Sequence, residues 1–310
     1  MQEQSEVVPR DLRVVSSPGF ADYVLLDSGG RRKLERFGAF TIERPEPQAL
    51  WRPSAPADVW RAAQASFESP DAEDDGNAGR WTRRGQIPEA WPVQVHGVSM
   101  LCKLSGFRHL GLFPEQEPHW RWMLDWLRPA GGGTSPRVLN LFAYTGAASL
   151  LAAKNGAEVT HVDASKKAIG WAKENQAASG LASAPVRWIL EDARKFVARE
   201  TRRGRTYDLI LVDPPKFGRG PDGEVWDIFE HLPSLLQDCA TLLVPGRSAL
   251  LLTTYAIRAS ALAMDGLVRD CLQGRKGQVE SGELAIVEQS AGRLLPTSLF
   301  TRWVSDDTAV

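Results

Sequence analysis

Three absences narrow the chain before any motif is read. Cysteine is scarce: Cys102, Cys239 and Cys271 are odd in number, far apart and in no metal-ligand spacing. That excludes a disulfide framework and a zinc-type cluster, so reduced thiols and no metal are expected. No uninterrupted apolar run approaches the ~18 residues of a membrane span, and the opening Met1-Gln-Glu-Gln-Ser-Glu6 lacks the apolar core of an export signal. A cytoplasmic protein with no membrane partner is the expectation. An excess of charge is missing too, because 37 Lys and Arg nearly balance 38 Asp and Glu to leave a net charge of -1. No whole-molecule positive field can attract nucleic acid, so such a partner must be met by local patches. The apolar fraction of 43% is ordinary, and 310 residues suit one large domain or two moderate ones.

The composition divides the chain near residue 129. Seven of the eleven tryptophans (Trp51, Trp60, Trp81, Trp91, Trp120, Trp122, Trp126) precede Arg137, among prolines and short alternating runs. Tyr23–Asp27 and Lys33–Phe37 flank Ser28-Gly29-Gly30 as a hairpin, and Trp91–Val95 with Ser99–Leu104 across Gly97 form a second pair. The acidic Ser69–Gly79 stretch reads as a mobile loop and Pro129–Pro136 as a linker. After it, strands alternate with helices expected over Gly146–Asn155, Ser165–Ser179, Asp192–Glu200, Val225–Leu242 and Ser260–Gly274, and Gln278–Val287 with Ser298–Val304 form a closing hairpin. This predicts a β-rich, Trp-rich N-terminal region over 1–128 and an α/β, doubly wound, mainly parallel sheet over 129–310.

Four successive strand ends carry polar groups where ligands of open α/β sheets bind. Arg137–Leu141 leads into Phe142-Ala143-Tyr144-Thr145-Gly146, a small-residue turn opening a helix. It has one glycine where a dinucleotide fold places G-x-G-x-x-G, which argues against a pyrophosphate-bearing ligand such as NAD. Val159–Val162 ends at Asp163, which can accept from two ribose hydroxyls; the alternative, capping the next helix, fits Ser165 better. Val186–Leu190 ends at Glu191-Asp192, and for Asp192 binding an adenine amine and capping a helix are equally open. Tyr207–Val212 ends at Asp213-Pro214-Pro215-Lys216-Phe217. Two prolines cannot continue a β-ladder, so the Asp213 side chain and Pro214 carbonyl become rigid acceptors suited to an amino group on a planar base.

These residues resemble the class I S-adenosylmethionine-dependent methyltransferases, and more narrowly the bacterial enzymes that methylate large-subunit ribosomal RNA at cytosine C5 or guanine N7. The likeness lies in Asn140-Leu-Phe-Ala-Tyr-Thr-Gly146, Asp163 with Ser165, Glu191-Asp192, Asp213-Pro-Pro-Lys-Phe217 and the upstream Gly111-Leu-Phe-Pro-Glu-Gln116. It implies a seven-stranded Rossmann-like sheet holding S-adenosyl-L-methionine. Phe142, Thr145 and Gly146 would surround the methionine part, with Asn140 and Tyr144 in the same segment. Asp163 would hold the ribose, Asp192 the adenine and Asp213-Pro214 the methyl acceptor, while Gln116 would close over the cofactor.

The chain departs from that pattern in three places. Its first ~105 residues do not resemble the small RNA-binding domain of the C5 enzymes. Where those enzymes carry a nucleophilic cysteine after the fifth strand, it reads Thr253-Thr254-Tyr255. Lys216 stands where an aromatic often follows Asp-Pro-Pro, with Phe217 one place later. The reading is therefore methylation of a ribosomal RNA base at a nitrogen, with Asp213, Pro214, Pro215 and Phe217 at the acceptor. A protein or small-molecule acceptor stays open, as does a non-catalytic cofactor-binding module on the ribosome; the oligomeric state is not legible. Three basic stretches could meet phosphate: Arg31-Arg32-Lys33, Arg80 with Arg83-Arg84 beside Trp81 and Trp91, and Arg202-Arg203-Gly-Arg205. His119 and His231 suit core or surface roles better than that of a base.

Overall fold

A computed structural model describes residues 11–69, 79–128, 134–255 and 257–306. The polar N-terminus, most of the acidic loop and most of the linker lie outside them.

The chain opens with β1 (Leu12–Ser17), followed by a small sheet of β2 (Tyr23–Gly29), β3 (Arg32–Phe37), β4 (Phe40–Pro45), β5 (Ala65–Glu68) and β6 (Arg80–Arg83), with helix α1 (Ala57–Arg61) between β4 and β5. A separate hairpin, β7 (Trp91–Val95) and β8 (Val98–Cys102), precedes a 3-10 turn at Pro114–Gln116 and helix α2 (Glu117–Leu127). Strand–helix alternation then runs β9 (Arg137–Leu141), α3 (Ala147–Lys154), β10 (Glu158–Asp163), α4 (Lys166–Ala178), β11 (Val186–Leu190), α5 (Ala193–Arg202) and β12 (Leu209–Val212). A short hairpin, β13 (Phe217–Arg219) and β14 (Val225–Asp227), leads into α6 (Ile228–Leu242), β15 (Ala249–Tyr255), α7 (Ala261–Cys271), β16 (Gly277–Val287) and β17 (Leu294–Ser305).

The large sheet has the order β1-β16-β17-β15-β12-β9-β10-β11. Residues on its central strands alternate between two cores. Val138, Leu209, Leu211 and Leu251 face α2, α3 and the N-terminal region, while Leu139, Leu141, Ile210, Val212, Leu250 and Leu252 face α5, α6 and α7. A strand buried on both faces needs continuous apolar residues, which Leu209-Ile-Leu-Val212 supplies. Strands β10 and β12 flank β9 on opposite sides, so connections diverge at the carboxyl end of β9 and open a crevice there. Side-chain caps fix several helix starts: Ser165 for α4, Asp192 for α5, Asp227 for α6 and Ser260 for α7.

The sheet carries the seven expected strands and an eighth. Strand β1 comes from the N-terminal side of the compositional boundary and pairs parallel with β16, from Leu12 opposite Ser281 to Ser17 opposite Ile286. The closing hairpin forms as expected, whereas the helix expected from Val225 starts only at Ile228.

Buried charges tie the small sheet to the large one. Asp27 accepts from the Ser54 and Ala55 N–H groups, the Trp60 indole and Ser290 Oγ, and it meets Arg293, which also pairs with Glu288 at 2.7 Å. Burial alone would raise the Asp27 pKa, but these donors hold it below the usual carboxylate value. A carboxyl depressed in the folded state contributes stability at neutral pH that is lost as pH falls through its folded pKa. Thermal melts of Asp27→Asn should therefore show a lower Tm at pH 7 and a smaller further loss between pH 5 and 3 than the parent protein. Parallel Tm–pH curves would show that Asp27 is not a source of acid sensitivity.

Candidate functional site

The crevice holds a cavity of about 510 Å³ lined by the ends of β9, β10, β11 and β12, and a smaller one of about 70 Å³ adjoins it. Both are bordered by Phe113, Gln116, Phe142, Tyr144 and Asp213. The β9–α3 turn between them is strained: Phe142, Tyr144 and Gly146 have φ of 55°, 50° and 87°. Positive φ is uncommon for bulky residues and persists only where neighbours enforce it. Here Asp163 Oδ2 accepts from Tyr144 N at 2.8 Å, Asn175 Nδ2 donates to the Thr145 carbonyl at 2.9 Å, and Thr145 Oγ1 donates to the Gly111 carbonyl. A Cβ on Gly146 would lie 3.3 Å from the Ala172 methyl, so the turn needs glycine for space as well as for φ.

Asp163 holds its own strand end through Oδ1, which accepts from Ser165 N at 2.8 Å. Each carboxylate oxygen retains a further lone pair, which is the acceptor set a ribose diol requires. Burial pushes its pKa above the usual carboxylate value. Asp192 takes the capping role, and its place in the cavity lining leaves the other open. Its Oδ1 caps α5 by accepting from Arg194 N and Lys195 N at 2.9 and 3.1 Å, while Oδ2 has only a 3.5 Å contact with Arg194 and the residue lines the cavity.

Asp213 accepts from Gln116 Nε2 at 3.2 Å, so the upstream segment does close onto the Asp-Pro-Pro corner. Burial, with the Glu115 carboxylate adding to it, pushes the Asp213 pKa up to about 7. Pro214 is buried; Pro215 and Phe217 are exposed, Phe217 at 55% on β13. Asn140 lines the small cavity, but its amide donates to Ser149 Oγ at 2.9 Å, and that hydroxyl meets His161 Nδ1, so the side chain is committed to the core.

Three contributors carry no signature in the sequence. Trp226 donates from Nε1 to the Pro215 carbonyl at 2.7 Å and packs on Phe142 at 4.8 Å, bracing the corner against the strained turn. Asn175 also accepts from Leu101 N at 2.8 Å, joining β8 to that turn. His119 is buried against Phe300 and borders the small cavity, with neither ring nitrogen bonded among the described residues. His231 Nδ1 instead lies 3.0 Å from the Asp227 backbone, away from the cavity lining.

Of the basic stretches, Arg32 pairs with Glu43, and Lys33 is buried with Glu46 at 3.1 Å, so the first serves the interior. Trp91 is only 4% exposed and donates to the Phe37 carbonyl, which corrects its expected place in a stacking surface; Trp81 stays half-exposed. The three cysteines are buried, and none lines either cavity.

A crevice at the switch point with a single-glycine turn, a strand-end carboxylate and a rigid Asp-Pro-Pro corner fits a nucleoside-cofactor transferase better than a dinucleotide enzyme. Residues 46–274 match the S-adenosylmethionine-dependent methyltransferase family, and the chain belongs to it. It resembles a SAM-dependent methyltransferase from Agrobacterium tumefaciens with 51% identity and a TM-score of 0.89, covering 94% of this chain and 93% of that one. It is 36% identical over 156 residues to ribosomal RNA large subunit methyltransferase K/L of Hahella chejuensis, covering 50% of this chain and 20% of that protein. It is 30% identical over 135 residues to ribosomal RNA large subunit methyltransferase I of Klebsiella pneumoniae, covering 43% and 32% respectively. The chain thus spans between a fifth and a third of the length of these curated relatives.

S-adenosylmethionine is the cofactor, and the residues present fit it. Asp163 offers acceptors for the ribose, and the turn avoids the tight pyrophosphate approach this molecule does not need. The His119 imidazole, unbonded among the described residues, borders the small cavity, which Asp163 does not line, and would meet a polar amino-acid end there.

Proposed function

We propose that this chain methylates a base of ribosomal RNA at a nitrogen, with residues 1–128 contributing substrate recognition. The observation that carries the reading is the Asp213-Pro214 corner, held by Gln116 and Trp226 at the mouth of a cavity that contains no cysteine. The names of the curated relatives support RNA as the substrate class, and a ribosomal substrate implies a cytoplasmic protein.

When bound, the cofactor supplies a methyl group activated by a sulfonium. Asp213 and the Pro214 carbonyl orient the acceptor nitrogen so that its lone pair points along the line of displacement. If that nitrogen carries a proton to be lost, an Asp213 oxygen accepts it. Phe217 offers an exposed face for the base. Methylation at cytosine C5 would instead need a thiolate adduct. Burial raises the thiols of Cys102, Cys239 and Cys271 above the usual value, and Thr253 and Thr254 occupy the end of β15.

Mass spectrometry of ribosomal RNA nucleosides from cells lacking the gene should show loss of one N-methylated nucleoside, restored by the wild-type gene. Unchanged rRNA nucleosides would move the acceptor to a protein or small molecule. RNA containing 5-fluorocytidine should give no denaturation-resistant complex, and variants lacking all three cysteines should keep substantial turnover if folded. A covalent band abolished by mutating one cysteine would overturn the nitrogen assignment.

A further inference from the structure

We propose that a single-stranded RNA segment enters the cavity along a track from the outer edge of the small sheet, over the Phe107 loop, to the β13–β14 hairpin. This rests on the RNA reading above and assigns the surface that the RNA crosses. Among the described residues, strand β6 is an edge strand of its sheet, paired with β5 alone. Side chains alternate along a strand, so Trp81 and Arg83 share a face. Trp81 Nε1 donates to the Phe107 carbonyl at 3.1 Å, fixing that face against the loop. The next two loop residues, Arg108 and His109, already line the large cavity, and Lys216, Phe217 and Arg219 line it from the hairpin. Arg83 and Arg84 therefore stand one loop away from the acceptor corner.

The charges along this route are available. Arg83, Arg84, Lys216 and Arg219 are exposed, and among the described residues none has a carboxylate within ion-pair distance; Arg84 donates only to the Arg61 carbonyl. Elsewhere exposed cations are often neutralised, as Lys195 is by Glu224 and Arg203 by Glu200. In a chain of net charge -1, two such cations at the opening, Lys216 and Arg219, and two one loop away, Arg83 and Arg84, make a local phosphate-binding field. Interleaved with them, Phe107 and Phe217 are 54% and 55% exposed. Exposed aromatics between cations suit unpaired bases, whose faces are free to stack, better than a duplex, whose bases are already stacked. Five acids line the cavity: Asp163, Glu191 and Asp192 at the end assigned to the cofactor, and Glu115 and Asp213 at the acceptor corner, so the phosphates must be met by the cations outside that corner.

Binding of a fluorescein-labelled 15-nucleotide single-stranded rRNA fragment tests the track, measured by anisotropy from 25 to 200 mM KCl with S-adenosylhomocysteine present. Arg83→Gln/Arg84→Gln should make the log–log salt slope shallower by about 1.4, at ~0.7 for each single-strand phosphate no longer neutralised. Phe107→Ala should weaken binding by about five-fold or more through the missing stacking face. The control is Arg202→Gln/Arg205→Gln. Arg202 ends α5 and Arg205 follows it, both at the opposite end of that helix from the cavity-lining Ala193, and their removal should leave the slope unchanged. Calorimetric affinity for S-adenosylhomocysteine should match wild type in every variant and so report an intact fold. Equally shallower slopes in track and control variants, or no change in either, would overturn the track while leaving RNA as the substrate. Equal affinity for a duplex of the same sequence would overturn its single-stranded character. A wild-type protein that binds S-adenosylhomocysteine but no RNA at 25 mM KCl would overturn the RNA reading and the track together.

Discussion

Replacing Asp213 with alanine is expected to lower methyl transfer by about 10²–10⁴-fold, the range for loss of a positioned proton acceptor, while S-adenosylhomocysteine affinity stays within several-fold. The two readouts separate because the side chain sits at the Asp-Pro-Pro corner, bonded to Gln116, rather than at the end of β10 where Asp163 would meet the ribose. Its pKa of about 7 adds a signature that a purely structural residue would not show. Below that pH the carboxyl is protonated and cannot take a proton, so kcat should rise with pH through a limb near 7. Asp213→Asn should lose the limb, and Glu115→Gln should move it to lower pH, because the neighbouring carboxylate helps to hold the proton on. Stability should run the other way. The folded state binds this proton more tightly than the unfolded chain, so charging Asp213 costs stability as pH climbs from about 4 to 7, and Asp213→Asn should relieve that cost at pH 8. Equal losses of catalysis and cofactor affinity would mean that Asp213 serves the cofactor instead.

Asp163→Ala should weaken S-adenosylhomocysteine binding by ~1–3 kcal/mol, roughly 5- to 150-fold, as buried hydroxyls lose their acceptor. The value should lie toward the upper end, because this carboxylate also accepts from Tyr144 N and Ser165 N and so holds the strained turn that surrounds the ligand. Asp163→Asn keeps one acceptor oxygen and should fall between. Calorimetry would decide, and unchanged affinity in a folded Asp163→Ala protein would remove the residue from the site.

The strand ends were legible because a strand buried on both faces must be a short, continuous apolar run, and a run such as Leu209–Val212 stops where the chain turns polar. Asp163 and Asp213 could be found for that reason alone. The role of Asp192 could not be resolved, since capping and ligand binding ask for the same carboxylate at the same place. Trp226 was hidden inside an expected helix over Val225–Leu242. The apolar spacing that follows it is helical, but residues 225–227 pair with Phe217–Arg219 instead, and no local pattern encodes that pairing. Asn175 was invisible for a related reason: its partners Leu101 and Thr145 lie 74 and 30 residues away.

The sequence by itself determined the α/β alternation, the single-glycine turn and the acids closing β10, β11 and β12, because burial, backbone freedom and proline's fixed φ act on neighbouring residues. Tertiary structure alone decided that β1 becomes an eighth strand, that Trp91 is core while Trp81 stays half-exposed and bonded to the exposed Phe107 loop, and that Gln116 reaches Asp213 across 97 residues of chain. Those outcomes depend on which surfaces meet after collapse. A short polar or aromatic side chain has the same local preferences whether it ends in the core, at a cofactor or at the edge of a substrate track.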